Sequence, residues 1–421
     1  MLSNKKLLAV LLAGITLSPL AQATNGYFAH GYGMRSLGMA GVAYALPQDA
    51  LVIASNPAGL SALGNRLDAG VTWFKPQRSS TITGNGAGLN GRYDANGTET
   101  FLIPELGYSR QLDERFTVGL AAYGNGGMNT DYRQNPFNAL SRTGPLGSAG
   151  VDLEQAFISP AVAWKVNEQH SIGLAAIYAH QRFAARGLQP FTAFSAEPTR
   201  VTNNGHDHSS GWGVRLGWTG QLTDTLTLGA AWASKISMSR FSQYEGLFAD
   251  GGSFDIPENF GAGLAWKATD RLTFAADVQQ INYSDVQSIA NSIDQLFAAG
   301  QVLGSANGPG FGWEDIRVYK LGASYALDTR WTVRAGFSWA DQALDRHETF
   351  FNTLAPGVIR KHLTFGATFA VAENQELSAF YARAFAEELN GNQSINASLG
   401  GGEANLKMRQ DSVGVGYTWK L

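Results

Sequence analysis

Residues 111–120 read QLDERFTVGL, a polar turn between two runs in which apolar residues alternate with small or polar ones. The six copies of this phrase are QLDERFTVGL (111–120), KVNEQHSIGL (165–174), QLTDTLTLGA (221–230), KATDRLTFAA (267–276), ALDTRWTVRA (326–335) and AVAENQELSA (370–379). Their Asp or Asn positions are 54, 57, 46, 58 and 46 residues apart. A tight turn flanked by period-2 alternation predicts a β-hairpin. Short turns at one end and long loops at the other are typical of a transmembrane β-barrel. Six hairpins plus one strand at each end predict an all-β, fourteen-stranded antiparallel barrel.

Alternation divides each predicted strand into two faces. In residues 412–421, one face carries valine, tyrosine and tryptophan, and the other carries glycine and polar residues; residues 331–339 repeat the pattern. A soluble sandwich would alternate in the same way, but Trp and Tyr near strand ends are typical of a membrane interface. These aromatic residues are Trp164, Trp218, Trp232, Trp266, Tyr325, Trp331 and Trp419. The apolar face is therefore predicted to face lipid.

The composition agrees with a membrane barrel and excludes several other classes. Hydrophobic residues make up 44% of the chain and charged residues 15%, with a mean hydropathy of −0.13. Beyond the first residues, no apolar run approaches the roughly 20 residues that a membrane-spanning helix needs. The absence of cysteine excludes disulfides and thiolate metal sites. A net charge of −3 without a basic block argues against a nucleic-acid partner.

The N-terminus has the pattern of a secretory signal peptide, residues 1–23. Lys5 and Lys6 precede an apolar stretch, residues 7–17, and Ala21-Gln22-Ala23 is a small-residue cleavage site. A membrane anchor is the alternative, but the apolar stretch is too short to span a bilayer. We expect cleavage after Ala23 and export to the outer membrane of a Gram-negative-type cell.

The C-terminal strand ends in Tyr417-Thr418-Trp419-Lys420-Leu421. It resembles the signal by which outer-membrane barrels are recognised for insertion, although Leu421 stands where phenylalanine is usual. The expected partners are therefore the barrel-assembly machinery, outer-membrane lipid and lipopolysaccharide, and the expected state is a monomer.

Residues 24–65 do not alternate and are rich in glycine, alanine and methionine. An apolar stretch before the first strand needs a place to be buried, and the lumen of a fourteen-stranded barrel is wide enough to hold it. The sequence thus predicts a signal peptide (1–23), an N-terminal plug or hatch (24–65) and a barrel (66–421).

Four short motifs lie near the expected mature N-terminus: Asn25-Gly26-Tyr27-Phe28, Gly38-Met39-Ala40-Gly41-Val42-Ala43, Pro47-Gln48-Asp49-Ala50 and Ser55-Asn56-Pro57-Ala58-Gly59-Leu60. Together they resemble the FadL/TodX family of outer-membrane transporters for hydrophobic compounds. The resemblance implies passive uptake of long-chain fatty acids or of aromatic or aliphatic hydrocarbons, without a cofactor. It implies ligand capture in the outer loops, a ligand site at Asn25–Phe28, and a hatch built around Asn56, Pro57 and Ala58. Release would be lateral, through a gap where the third strand is kinked.

The third strand is predicted over residues 115–123, where it meets Gly124-Asn125-Gly126-Gly127. These residues are either an ordinary strand end or a break in the hydrogen-bonded ladder that opens the wall sideways.

Several ionisable residues have lumen-facing parity: Glu105, Arg215, Asp277, Lys320, Arg334 and His362. They either pair with one another and hold the plug, or supply a cation (Arg215, Lys320 or Arg334) that meets a carboxylate head group.

Two long loops carry apolar residues that would be exposed to water unless something packs against them. In residues 283–313, the apolar residues Val286, Ile289, Ile293, Leu296 and Phe297 have helical spacing, with Ser284 as a candidate N-cap. The second loop spans residues 125–151 and includes the apolar turn NPFNAL, residues 135–140. We expect either a capture groove between the two loops or simple packing of one loop on the other.

Other functions find less support. The chain has no Gly-x-Ser-x-Gly elbow and is not expected to be an enzyme. His206 and His208 are two ligands without a third, which is a weak metal site. A general diffusion porin remains the alternative among transporters, but it requires an open lumen. A surface adhesin or phage-receptor role is the alternative outside transport.

Overall fold

The structure, a computed structural model, describes residues 25–421. The predicted signal peptide and Thr24 lie outside the described residues. The fifteen strands of residues 25–421 are β1 Arg66–Thr83, β2 Gly91–Asp94, β3 Phe101–Gln111, β4 Phe116–Asn129, β5 Gly150–Lys165, β6 His170–Arg186, β7 Asp207–Gln221, β8 Leu226–Ala233, β9 Asn259–Lys267, β10 Leu272–Ile281, β11 Ile316–Ala326, β12 Trp331–Ala340, β13 Lys361–Ala372, β14 Gln375–Leu389 and β15 Glu403–Lys420.

Fourteen of these strands form one closed antiparallel barrel, which confirms the predicted strand number. Each strand pairs with its neighbour in the chain, and β1 closes the seam by pairing with β15 from Arg66 opposite Lys420 to Thr83 opposite Glu403. The short β2 is the fifteenth strand and pairs with the outer part of β1, beyond the point where β1 leaves β3.

The six repeated phrases form the six tight hairpins at one end of the barrel. In three of them the Asp or Asn side chain caps the turn: Asp113 Oδ1, for example, accepts from the backbone N–H groups of Arg115 (2.7 Å) and Phe116 (2.8 Å). In two others a threonine one residue earlier does this, with Thr223 and Thr269 as acceptors. A side-chain oxygen that accepts hydrogen bonds from backbone N–H groups two or three residues later in the chain stabilises a tight turn.

The outward face of the wall is apolar. Exposed outward-facing residues include Val71 and Trp73 of β1, opposite Val415 and Val413 of β15. Exposed aromatic residues near the turn end are Trp164, Trp266, Tyr325, Trp331 and Trp419. No helix within residues 25–421 has the length and apolar character needed to cross a membrane.

Residues 25–65 fill the lumen, as the sequence predicts. The segment contains a short helix, α1 (Met34–Leu37), and two 3₁₀ turns, Ala50–Ala54 and Pro57–Ala62. The inward faces of the strands carry glycine because the plug backbone lies against them. A Cβ on Gly229 would stand 1.9 Å from Tyr44 O, and one on Gly336 would stand 2.3 Å from the Met39 carbonyl carbon.

The long connections form a cap over the other end of the barrel. It holds three short helical segments, α2 (Ala249–Gly252), α3 (Gln287–Ala290) and α4 (Asp294–Phe297). Within α2, Asp250 and Gly251 have left-handed backbone angles, so this segment is a kinked turn. The remaining 3₁₀ turns are Asn138–Leu140, Gln189–Phe194, Pro198–Arg200, Ser242–Tyr244, Tyr283–Asp285, Phe351–Thr353 and Ala397–Leu399.

The continuous helix implied by the spacing in residues 283–313 is replaced by α3 and α4, and Ser284 lies inside a 3₁₀ turn. The prediction of Ser284 as an N-cap is therefore wrong, since the N-cap of that 3₁₀ turn is Asn282 and the N-cap of α3 is Val286. The helix is interrupted at Asn291, which has an extended conformation.

Candidate functional site

The plug is anchored to the wall through Asn56. Its side-chain Nδ2 donates to the carbonyl oxygens of Tyr44 (2.6 Å) and Trp218 (2.9 Å), and its Oδ1 accepts from the backbone N–H of Ala58 (3.2 Å). Asn56 is thus both the N-cap of a 3₁₀ turn and a bridge between the plug and β7. A Cβ on Gly217 of β7 would stand 2.0 Å from Asn56 Oδ1. The wall is therefore shaped to receive this motif.

The third barrel strand, β4, does not end at Tyr123 as predicted. It continues through the glycines to Asn129, still paired with β5, with a bulge between Gly124 and Gly126. The ladder to β3 stops earlier, because Ala122 opposite Leu106 is the last pair on that side. The outer part of β4 therefore has one edge without a partner strand, which is the arrangement that sheets normally cover.

Residues 25–29 cover this edge. Phe28 forms an antiparallel bridge with Gly126, the backbone N–H of Ala29 donates to Asn125 O (2.9 Å), and that of Gly127 donates to Tyr27 O (3.0 Å). A Cβ on Gly126 would stand 1.9 Å from Tyr27 O. Glycine at this position thus permits the close approach of residues 25–29, which we call the N-terminal segment.

Tyr27 of the N-terminal segment is part of an aromatic cluster. It is fully buried, and its ring centroid lies 5.4 Å from that of Tyr283, 6.0 Å from that of Trp313 and 6.0 Å from that of Phe254. The Tyr283 hydroxyl donates to Asn25 O. The predicted ligand residues Asn25–Phe28 are therefore in contact with residues of two outer loops.

A chain of amide side chains runs along the wall beside this cluster. Asn125 accepts from the Tyr32 hydroxyl (2.9 Å) and donates to Gln155 Oε1 (2.9 Å). Gln155 donates to Gln181 Oε1 (3.1 Å), and Gln181 donates to Phe254 O (2.8 Å). Gln155 and Gln181 were not among the predicted site residues. Their inward parity in the middle of two long strands was the signal that could have identified them.

Five of the lumen-facing ionisable residues contact the plug. Lys320 Nζ donates to His30 O (2.9 Å), and Asp277 Oδ2 accepts from the backbone N–H of Ala43 (2.7 Å). Arg334 Nε donates to the side-chain oxygen of Gln48 (2.9 Å). Likewise, Glu105 accepts from the backbone N–H of Gly33, and the His362 ring stacks on that of His30. In this structure these groups hold the plug, the first of the two roles considered for them.

Two of the three candidate cations also border a cavity. Arg215 and Lys320 line a space of about 20 Å³ together with Asp277 and Tyr32. That volume holds one water molecule, since a water needs roughly 10–15 Å³ of such space. A carboxylate head group would have to displace part of the plug to enter. Arg334 does not line this cavity.

A second, apolar cavity lies under the outer loops, with a volume of about 50 Å³. Phe137 reaches it from the loop after β4, and Phe311 reaches it from the loop after β10. The remaining lining residues, which include contributions from three further loops, are Val151, Phe183, Leu188, Phe191, Leu247, Phe248, Ser288, Leu303, Pro309, Gly310, Phe351 and Leu354. The two loops singled out in the sequence thus meet at one apolar space, which the other loops complete.

The histidines offer little chemistry. His206 Nε2 lies 3.1 Å from Asp152 Oδ2, and His208 Nδ1 lies 3.3 Å from His180 Nε2. Across residues 25–421, no group of three or more potential ligand side chains could hold a metal ion.

Comparison with known proteins places these features in a family. Residues 14–421 match the profile of the outer membrane protein transport protein family (OMPP1/FadL/TodX). An outer membrane protein of Neisseria meningitidis serogroup B is 22% identical, with 98% of each chain covered.

Solved structures share the fold. The Pseudomonas putida toluene transporter TodX superposes with a TM-score of 0.68 at 19% identity, covering 93% of this chain and 99% of TodX. The Ralstonia pickettii toluene transporter TbuX gives 0.66 at 18% identity, with coverage of 93% and 99%. A Pseudomonas aeruginosa FadL homologue gives 0.69 at 16% identity, with coverage of 94% and 99%.

Proposed function

This chain belongs to the OMPP1/FadL/TodX family of outer membrane transport proteins, and we propose that it takes up hydrophobic small molecules by passive diffusion. The substrates are long-chain fatty acids or hydrocarbons, and the protein acts as a single-chain barrel without enzymatic chemistry or a cofactor. The observation that carries the proposal is the unpartnered outer edge of β4, which is covered by a segment of plug and not by a strand.

Capture begins at the apolar cavity under the outer loops. Its lining is almost entirely aliphatic and aromatic. Two lining rings adjoin the cluster around Tyr27: the ring centroid of Phe311 lies 6.3 Å from that of Trp313, and that of Phe248 lies 4.9 Å from that of Phe254. A hydrophobic solute leaving water for such a surface gains about 25 cal/mol for each Å² of apolar area removed from solvent. The cavity is small, so a ligand must part the loops to enter.

The N-terminal segment acts as the moving part of the hatch. It is held to β4 by backbone hydrogen bonds and to Tyr283 by one more. A ligand that inserts among Tyr27, Phe28 and Trp313 replaces their mutual ring contacts and shifts the segment away from Gly126. The loss of these bonds frees the edge of β4 next to β3.

Release is lateral, through the wall between β3 and β4 at Gly124–Gly127. A hydrophobic solute gains nothing by entering periplasmic water, and sideways exit into the outer leaflet keeps its surface dry. The lumen below is occupied by the docked plug, which opposes the alternative of a general diffusion porin.

Substrate class is decided by comparing the uptake of radiolabelled oleate and toluene in a strain that lacks its own transporters and expresses this chain. We expect uptake of at least one of the two above the empty-vector level, with the level of folded barrel checked in the outer membrane. Oleate-selective uptake would assign Lys320 or Arg215 to the carboxylate, whereas arene-selective uptake would leave these charges structural. Uptake of small hydrophilic solutes without either substrate would contradict the proposal.

A matched variant tests the lateral exit. A Cβ on Gly124 would stand 3.2 Å from Ile103 Cγ2 of β3 and 3.9 Å from the nearest other atom. The substitution Gly124→Leu therefore directs a side chain towards Ile103, into the space between β3 and β4. We expect uptake to fall several-fold while insertion of the barrel is unchanged. Unaltered uptake would exclude the lateral route.

A further inference from the structure

A polar cleft lies on the outer surface of the wall, above the apolar band. Its volume is about 730 Å³, and it lies beside the outer parts of β1 and β15. Four exposed cations border it: Arg92 from β2, Arg133 from the loop after β4, and Lys407 and Arg409 from β15. We call these four residues and the space between them the cationic cleft.

The register places the cationic cleft at a definite height relative to lipid. Outward residues of β1 and β15 are apolar and exposed up to Trp73, which lies opposite Val413. Further outward on the same face, Gln77 lies opposite Arg409. Four residues of strand advance by about 13 Å. Arg409 thus stands just beyond the aromatic edge of the lipid-facing band, at the level of lipid head groups.

The cleft carries an excess of positive charge. Its two carboxylates are Asp94 and Glu99, and Glu99 is engaged by Lys75 at 3.1 Å. Lys407 is engaged by Glu388 at 3.2 Å. Across residues 25–421 the guanidinium groups of Arg92, Arg133 and Arg409 take part in no ion pair, although Arg409 Nε donates to Gln77. Three unpaired guanidinium groups therefore surround one space.

We propose that the cationic cleft binds the phosphate groups of a lipopolysaccharide molecule in the outer leaflet. Guanidinium groups suit phosphate because their N–H fork makes paired, charge-assisted hydrogen bonds. A cleft of this volume accommodates a sugar-sized polar group. The apolar band next to Trp73 and Val413 receives the acyl chains of the same molecule. A soluble anion would meet the same cations but would gain nothing from this lipid-facing surface.

Binding of diphosphoryl lipid A to the detergent-solubilised full barrel tests the proposal, with native mass spectrometry as the readout. The test variant combines Arg92→Ser, Arg133→Ser and Arg409→Ser, all at exposed side chains. The control is Arg317→Ser, because Arg317 is an outward-facing arginine of β11 whose Nε donates to Gln280, as Arg409 donates to Gln77. We expect the triple variant to bind about tenfold or more weakly, and the control to change affinity by no more than about twofold.

Three further arms make the result decisive. Lipid A stripped of its phosphates is expected to bind the wild-type barrel as weakly as diphosphoryl lipid A binds the triple variant. Competition by millimolar inorganic phosphate is expected to be slight; full displacement would instead define a site for free anions and overturn the proposal. Equal lipid A affinity of the wild type and the triple variant would also overturn it. Heat-modifiable migration on gels verifies folding, and Arg409→Lys, which keeps the charge but loses the fork, provides a milder variant with an intermediate affinity expected.

Discussion

The two ends of the plug contact the same wall in different ways. Residues 49–62 are held by the Asn56 side chain, which is bonded to the Trp218 carbonyl oxygen, and the backbone of Pro57 and Ala58 lies against Gly173. The N-terminal segment is held mainly by backbone hydrogen bonds along the edge of β4. Side-chain anchoring specifies one position, whereas edge pairing is a contact that a strand can form and release. We therefore propose that the plug combines a fixed part and an exchangeable part.

The largest effect on stability and leakage is expected from Asn56→Ala, which weakens the contacts of the fixed part of the plug. The substitution removes the two side-chain hydrogen bonds to the carbonyl oxygens of Tyr44 and Trp218, and it removes the cap on the backbone N–H of Ala58. We expect a loss of stability of about 2–4 kcal/mol and increased entry of hydrophilic antibiotics. Urea unfolding in detergent and antibiotic susceptibility measure the two effects. Asn125→Ala is the matched control, and leakage equal to that of Asn56→Ala would contradict the distinction between the two parts.

An intermediate effect is expected from Gly126→Ala, which displaces the exchangeable part of the plug. The new methyl group would collide with Tyr27 O, so the N-terminal segment must leave the edge of β4. We expect unfolding close to that of the wild type and faster cleavage near residue 29 by an added protease. Gly124→Leu, two residues away, provides the control because its side chain meets Ile103 instead. Wild-type protection from protease in Gly126→Ala would show that the segment is not exchangeable.

The smallest effect is expected from Tyr283→Phe. This variant keeps the ring against Tyr27 but removes the hydrogen bond to Asn25 O, which is worth about 0.5–1.5 kcal/mol. We expect a modest rise in hydrogen exchange at the amides of Ala29 and Gly127, with no change at Ala58. Equal increases at all three amides would indicate that the whole plug moves as one body.

Most of the barrel was predictable because its signals are local. Six capped turns and period-2 alternation define the strands without knowledge of their partners, and parity alone placed Lys320 and Asp277 in the lumen. The course of β4 was not predictable in this way. Whether Gly124–Gly127 end a strand or continue it depends on Tyr27 and Phe28, which approach from about a hundred positions earlier in the chain.

The site was predicted less completely than the barrel for the same reason. The motif around Asn56 was identified, yet its wall partner is a backbone carbonyl, which no side-chain pattern reveals. Helical spacing in the loop after β10 located buried residues correctly, since Ile289 and Ile293 are covered. It could not locate the break at Asn291, because that break is fixed by contacts with a distant part of the same loop: the Asn291 carbonyl oxygen accepts from the backbone N–H groups of Gly310 and Gly312.

The seam between β1 and β15 has a consequence for the order of assembly. Other barrel pairings join strands that follow each other in the chain, whereas this one joins its two ends. Contacts between distant residues form slowly, because a long loop must first be closed. The plug precedes β1 directly, so it can reach Trp218 and Gly173 while the wall is still open. Closing of the seam would then trap the plug inside, and a plug that docks late would slow the final step of folding.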